Sequence, residues 1–215
     1  MFQRIVIALS WLSCAYAATP IDGLYTVAFG GLAQLPNNIN ATINNVLANQ
    51  GQYNSGFNAG GALGYKQAFW RYEAEVTYIK ADLSNVQINN IVYQNPAAQG
   101  YNQGLIGLLN VYLDLPYKPA TLLQPFIAAG LGYGWIQTNI AVQPYINTVL
   151  NNNSFAYQGT AGLTFHFSEN YGLNVAYRYV GTTHLDTLGS IFQAHMIAGG
   201  VIYRFDECEF KYDFK

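Results

Sequence analysis

The chain has 215 residues, room for one domain or two small ones, and 9% of them are charged against 51% hydrophobic. An ordinary soluble domain carries roughly 25% charged residues, so a soluble surface built from this chain would be poorly hydrated. A net charge of −2 supplies neither a basic face for nucleic acid nor an acidic tract, which argues against electrostatic steering of a polyanion.

Met1 to Ala17 reads as a secretory signal: Arg4, an apolar run from Ile5 to about Cys14, and a small-x-small cleavage site at Ala15-Tyr16-Ala17. A lipoprotein signal at Cys14 is the competing reading, against which Trp11 stands where an aliphatic residue is wanted. Once residues 1–17 are removed, Cys208 is the remaining thiol, so no internal disulfide can staple the fold. No later stretch reaches the roughly 18 unbroken apolar residues of a membrane helix.

From about residue 22 the hydrophobic pattern has a period of two, the signature of strands with two unlike faces. It recurs at about Asp22–Leu35, Ser55–Gln67, Phe69–Lys80, Tyr101–Leu113, Pro125–Thr138, Ser154–Phe167, Tyr171–Gly181 and Gln193–Phe205. Each segment is long enough for a tilted strand to cross a bilayer. Long, Asn-rich connections (Pro36–Asn54, Ala81–Gly100, Asn139–Asn153) and a moderate one (Thr182–Phe192) alternate with tight ones at Lys66-Gln67-Ala68, Asp114 to Pro119 and Ser168-Glu169-Asn170. This rhythm predicts an all-β, eight-stranded antiparallel up-and-down barrel over residues 18–205, followed by a tail, Asp206–Lys215.

Which face meets water decides between a soluble and a membrane barrel. One face carries Phe57, Leu63, Tyr65, Ile127, Leu131, Tyr133, Trp135, Leu173, Val175 and Tyr177. The other reads Asn58, Gly60, Ala62, Gly64, then Ala128, Gly130, Gly132, Gly134, then Gln158, Thr160, Gly162, Thr164, His166. A hydrated sheet face would be dense in Lys and Glu, whereas small residues suit a narrow interior, so the small and charged face is predicted to line the lumen. Tyr65, Trp70, Tyr72, Trp135, Phe165, Phe167, Tyr203 and Phe205 then become membrane-interface aromatics.

"PFIAAGLGYGW" (Pro125–Trp135), "GLNVAYRY" (Gly172–Tyr179) and the closing "AGGVIYRF" (Ala198–Phe205) resemble the eight-stranded outer-membrane barrels related to the OmpA membrane domain, the opacity proteins and rickettsial-type surface antigens. The resemblance implies a bacterial outer-membrane location with both termini in the periplasm. It also implies recognition by the barrel assembly machinery through Gly200, Tyr203 and Phe205. In such proteins the terminal aromatic ends the chain, whereas here "DECEFKYDFK" follows.

By the same parity Lys66, Arg71, Glu73, Glu75, Asp114, Arg178 and Arg204 project into the lumen. Buried charges persist only when paired, so they are expected to form a network that plugs the bore, either as a structural plug or as a gated ion path. Ile39, Ile43, Val46 and Leu47 are spaced like one face of a short helix, and Ile146, Val149 and Leu150 repeat the idea, which predicts either a contact surface for a host or neighbouring protein or caps over the barrel mouth.

His166-Phe167-Ser168 looks like the His-x-Ser pair of a lipid A deacylase, but it falls at a predicted turn, and Glu169-Asn170-Tyr171 departs from that family's pattern. His184, Asp186 and Ser190 follow no recognised spacing. No cofactor motif or metal-ligand cluster is visible. The reading is a non-enzymatic surface protein in outer-membrane lipid with loop-mediated adhesion or antigenic contact. The alternatives are a channel for small solutes or hydrophobic molecules, and a lipid A-modifying enzyme.

Overall fold

The computed structural model describes residues 21–36, 41–43, 46–88, 91–94, 97–115, 123–142, 146–185 and 190–205. The expected signal (Met1 to Ala17), the tail Asp206–Lys215 with Cys208, Ile39 and Asp186 lie outside these residues. The strands are β1 (Gly23–Gln34), β2 (Ala41–Ile43), β3 (Val46–Tyr53), β4 (Gly56–Gln67), β5 (Trp70–Ile88), β6 (Ile91–Gln94), β7 (Ala98–Asp114), β8 (Leu123–Val142), β9 (Ile146–His166), β10 (Tyr171–Leu185) and β11 (Ser190–Arg204).

Each stretch of period-two alternation has become one long strand, β1, β4, β5, β7, β8, β9, β10 or β11, antiparallel to its neighbours in the chain. β11 returns to β1, with Arg204 opposite Tyr25 and His195 opposite Gln34, and so closes the eight-stranded ring. Closure gives the backbone groups of the wall partners inside the protein, the condition for crossing hydrocarbon with strands. The short connections, the start of β1 and the end of β11 share one end of the barrel, called here the turn end. There Ala68 takes a positive φ of 54° in the two-residue link between Gln67 and Trp70, which lets β4 reverse directly into β5.

The opposite end is uneven. β1 and β4 have 12 residues each, whereas β5, β8 and β9 have 19, 20 and 21. β3 continues the β4 side of β5, with Tyr53 opposite Leu83, and β6 continues the β7 side, with Gln94 opposite Asn85. Much of what reads in the sequence as long loops is therefore sheet. Ile43, Val46 and Leu47 lie in the β2–β3 hairpin rather than on a helical face, and Ile146, Val149 and Leu150 lie on β9. Apolar residues over one or two turns fit either period. A helix that short cannot repay its nucleation, while the edge of β5 offers a ready ladder.

Alternation sorts the side chains sharply: Leu109 is 71% exposed, and its neighbour Asn110 is 3% exposed. Outward residues include Leu24, Leu32, Leu63, Val76, Leu131, Val175 and Ile197. The core is the inside of the ring, and it has two layers. Toward the turn end it holds buried charges among two small apolar clusters, Tyr25, Val27, Ala62 and Ile202, and Tyr112, Phe126 and Ala176. In the other half it is apolar: Ile79, Ile106, Ile136, Val180, Phe192 and Met196 pack together, with Tyr53 and Leu150 against them. Leu150 is thus part of the filling rather than a displayed contact residue, because β9 carries its even-numbered positions inward beyond the expected loop boundary.

On the outside, polar side chains mark where the apolar band stops. Tyr78 Oη donates to Gln103 Oε1 (2.9 Å), Gln103 Nε2 to Gln137 Oε1 (2.7 Å) and Gln137 Nε2 to Asn151 Oδ1 (2.9 Å), a ladder across β5, β7, β8 and β9. Trp135 stands one outward position before Gln137 on β8. At the turn end Tyr171 and Tyr203 (5.1 Å between centroids) and Tyr203 and Phe205 (5.1 Å) form an aromatic chain, with Phe167 stacked on Tyr171. Tyr65, Trp70 and Tyr72 are exposed near this same end, and Phe165 is half-buried.

Candidate functional site

Strand parity alone brings Lys66 (β4), Arg71, Glu73 and Glu75 (β5), Asp114 (β7), Arg178 (β10) and Arg204 (β11) into one lumen, and all seven are buried. They fall into four groups. At the mouth, Lys66 Nζ lies 3.2 Å from Asp22 Oδ1 and donates to the Ala68 carbonyl at 2.5 Å, while the Ala68 N–H donates to Asp22 Oδ2 at 2.9 Å. Burial pushes the Asp22 carboxyl up, but the Ala68 N–H and Lys66 outweigh it, so its pKa falls below the ordinary 3.8.

Deeper in, Arg71 grips Asp114 through Nε (2.9 Å) and Nη2 (2.8 Å) and reaches Glu73 at 3.9 Å. Tyr25 Oη donates to the same Glu73 oxygen at 2.6 Å. The Arg71 guanidinium lies over the Tyr112 and Phe126 rings, at 4.6 and 5.0 Å from their centroids. A planar cation flanked by carboxylates and ring faces is the arrangement in which a buried arginine is best compensated.

At mid-barrel Arg178 pairs with Glu75, donates to Gln158 Oε1 at 2.9 Å and lies 4.2 Å from the Phe29 ring centroid. Glu75 is held further by Asn110 Nδ2 (2.8 Å) and by Thr77. Arg204 contacts the His166 ring at 3.0 Å and the Glu169 carbonyl at 3.4 Å, and His166 Nε2 meets Gln124 Oε1 at 2.9 Å. These side chains leave room for a void of only about 20 Å³ among Glu73, Tyr112, Thr160 and Arg178, about one water molecule.

Glycine makes the network possible. A Cβ at Gly64 would collide with the Tyr25 ring, and one at Gly130 with the Asn110 amide. The polar partners Tyr25, Asn110, Gln124 and Asp22 were not singled out from the sequence. In the structure the first three lie on β1, β7 and β8 and point inward, and only the opposing glycines hint at which large side chains the bore accommodates. Asp22 opens the first alternating segment but stands just before β1.

His166 and Ser168 are each engaged elsewhere: His166 meets Arg204 and Gln124, and Ser168 Oγ accepts the Asn170 N–H at 3.4 Å. The side chains of His184 and Ser190 lie outside those described. Among the described residues no cluster of His, Cys, Asp and Glu is arranged to hold a metal ion.

The family model described as "Outer membrane protein beta-barrel domain" matches residues 5–205. No curated protein matches the sequence. Among solved structures, neisserial surface protein A (NspA) superposes with a TM-score of 0.59 at 15% identity, over 85% of this chain and 97% of that one. The outer membrane protein OprG from Pseudomonas aeruginosa superposes with a TM-score of 0.50 at 14% identity, over 86% of this chain and 98% of that one. At these identities the likeness speaks to the fold.

Proposed function

This chain belongs to the outer-membrane protein β-barrel family, and on that premise we propose that it is a bacterial surface protein with a plugged lumen, whose tall rim makes the contact. The turn end, with both termini and the aromatics up to Phe205, faces the periplasm, and the β2–β3–β5–β6 sheet with the tips of β8 and β9 stands outside the cell. The filled bore carries this reading. An eight-stranded barrel is just wide enough to be packed by side chains. Here an ionic layer and an apolar layer fill it in series, so a solute would have to displace both.

The outer rim offers apolar side chains to a partner: Ile91, Val92 and Val149 are exposed beyond the polar ladder that ends the lipid-facing band. Ile91 and Val92 on β6 and Val149 on β9 offer apolar contact at separate points of the rim. Gly200, Tyr203 and Phe205, on and just beyond the closing strand, fit the role of an assembly signal.

Planar-bilayer recording tests the plug. Wild-type protein is expected to give a silent membrane, and reproducible open steps would replace this reading with the channel. Adhesion of cultured epithelial cells to beads carrying the reconstituted barrel tests the rim. Changing Ile91, Val92 and Val149 together to Ser is expected to reduce attachment without altering the folded barrel; unchanged attachment removes the rim from the proposal.

A further inference from the structure

Three features lie one above another on the outer face of β5, β7 and β8. The lowest is an apolar groove of about 360 Å³ in the lipid-facing band, lined by Ala74, Val76, Gly107, Leu109 and Leu131. It exists because Gly107 has no side chain, and a Cβ there would meet nothing within 4 Å. Above it runs the Tyr78–Gln103–Gln137 ladder, beside which Lys80 places its ammonium 5.1 Å from the Tyr101 ring centroid. Among the described residues no carboxylate lies within ion-pair distance of Lys80. Highest is a polar cleft of about 600 Å³ whose lining includes Asn54, Asp82, Gln99, Tyr101 and Asn139.

The cleft is a consequence of strand register. Pairing of β5 with β7 ends at Asp82 opposite Tyr101 and resumes with β6 only at Asn85 opposite Gln94, so the outer wall is notched between them. From Val76 to Asp82 the strand advances about 20 Å. Over that span the surface changes from hydrocarbon-like, to a cation, to amides, a carboxylate and a ring.

We infer that this face binds one phosphorylated glycolipid of the surrounding membrane. An acyl chain lies in the groove over Gly107, an acidic group on the sugar head meets Lys80, and further sugar fills the cleft. Asn54, Gln99 and Asn139 offer both donors and acceptors to hydroxyl groups, Asp82 accepts from them, and the Tyr101 ring presents an apolar face to sugar C–H groups. A phospholipid would satisfy the groove and Lys80 but leave the cleft to water. A free saccharide would find the cleft without the anchor. The inference rests on the reading of the outer band as lipid-facing.

The test is retention of lipid by the full chain in phosphatidylcholine nanodiscs containing lipopolysaccharide, read by native mass spectrometry after detergent extraction. Wild-type protein is expected to keep one lipopolysaccharide molecule, and Lys80→Gln to lower its retention about fivefold, the worth of one cation near an anionic lipid surface. Gly107→Leu, which fills the groove without a steric clash in the wall, is expected to lower it similarly, as is Gln99→Ala combined with Asn139→Ala. Equal retention by wild type and variants overturns the site. So does equal retention of phosphatidylglycerol, or binding of the free core oligosaccharide. Failure of the protein to insert into nanodiscs at all would instead overturn the lipid-facing reading, and it is seen before any lipid is counted.

Discussion

The two halves of the lumen share the same wall and the same parity, yet among the described residues only the turn-end half holds buried charges. Glu75 and Ile79 occupy successive parts of one face of β5: the first is clamped by Arg178, Asn110 and Thr77, and the second packs among Ile106, Ile136 and Phe192. A bore this narrow has to be filled, and either chemistry fills it. They differ in tolerance. An apolar layer loses stability in proportion to the volume removed, whereas an ionic layer fails as soon as one partner is missing, because the other remains buried and uncompensated.

That contrast is most directly broken at Arg178. Replacing it with Met is expected to cost about 3–5 kcal/mol in urea unfolding of the reconstituted barrel, since Glu75 is stranded. Adding Glu75→Gln should restore a large part of the loss, and a double variant no better than the single one would contradict pairing as the cause. In the apolar half, Ile136→Ala should cost about 3 kcal/mol by leaving a cavity. Ile136→Leu, at nearly constant volume, should cost less than about 1.5 kcal/mol in the same assay.

Between these and the surface lies the outer wall. Leu109→Arg, at the most exposed of these lipid-facing positions, should cost about 2 kcal/mol in a bilayer, a penalty that shrinks in detergent. At the mouth the effect is smallest. Asp22→Asn removes the half-exposed partner of buried Lys66, whose ammonium keeps the Ala68 carbonyl, a loss of about 1 kcal/mol or less. Because the folded pKa of Asp22 lies below its unfolded value, the pair contributes fully above the ordinary carboxylate pKa of 3.8 and is lost as pH falls through the folded value. A pH series from neutral to acid should therefore show wild type converging on Asp22→Asn.

Much of this was legible in the chain. Eight alternating segments fix the number of strands, and Arg71, Glu73 and Glu75 at every second position mark one face of β5 as interior. The partner of each charge was not legible. Arg178 meets Glu75 across a separation of 103 residues, and that meeting depends on the closed ring and its register. The rim was misread for a related reason. Val46, Leu47 and Val149 fit a helical spacing locally, and only the free edges of long neighbouring strands turn those stretches into sheet.

By itself, then, the sequence determined which side of each strand meets hydrocarbon, because a period of two is a local property of the backbone. Tertiary structure alone decided which side chains meet inside, how the filling divides into an ionic and an apolar layer, and where the wall is notched above Lys80. Those outcomes follow from the stagger between strands far apart in the chain, a quantity that no single segment encodes.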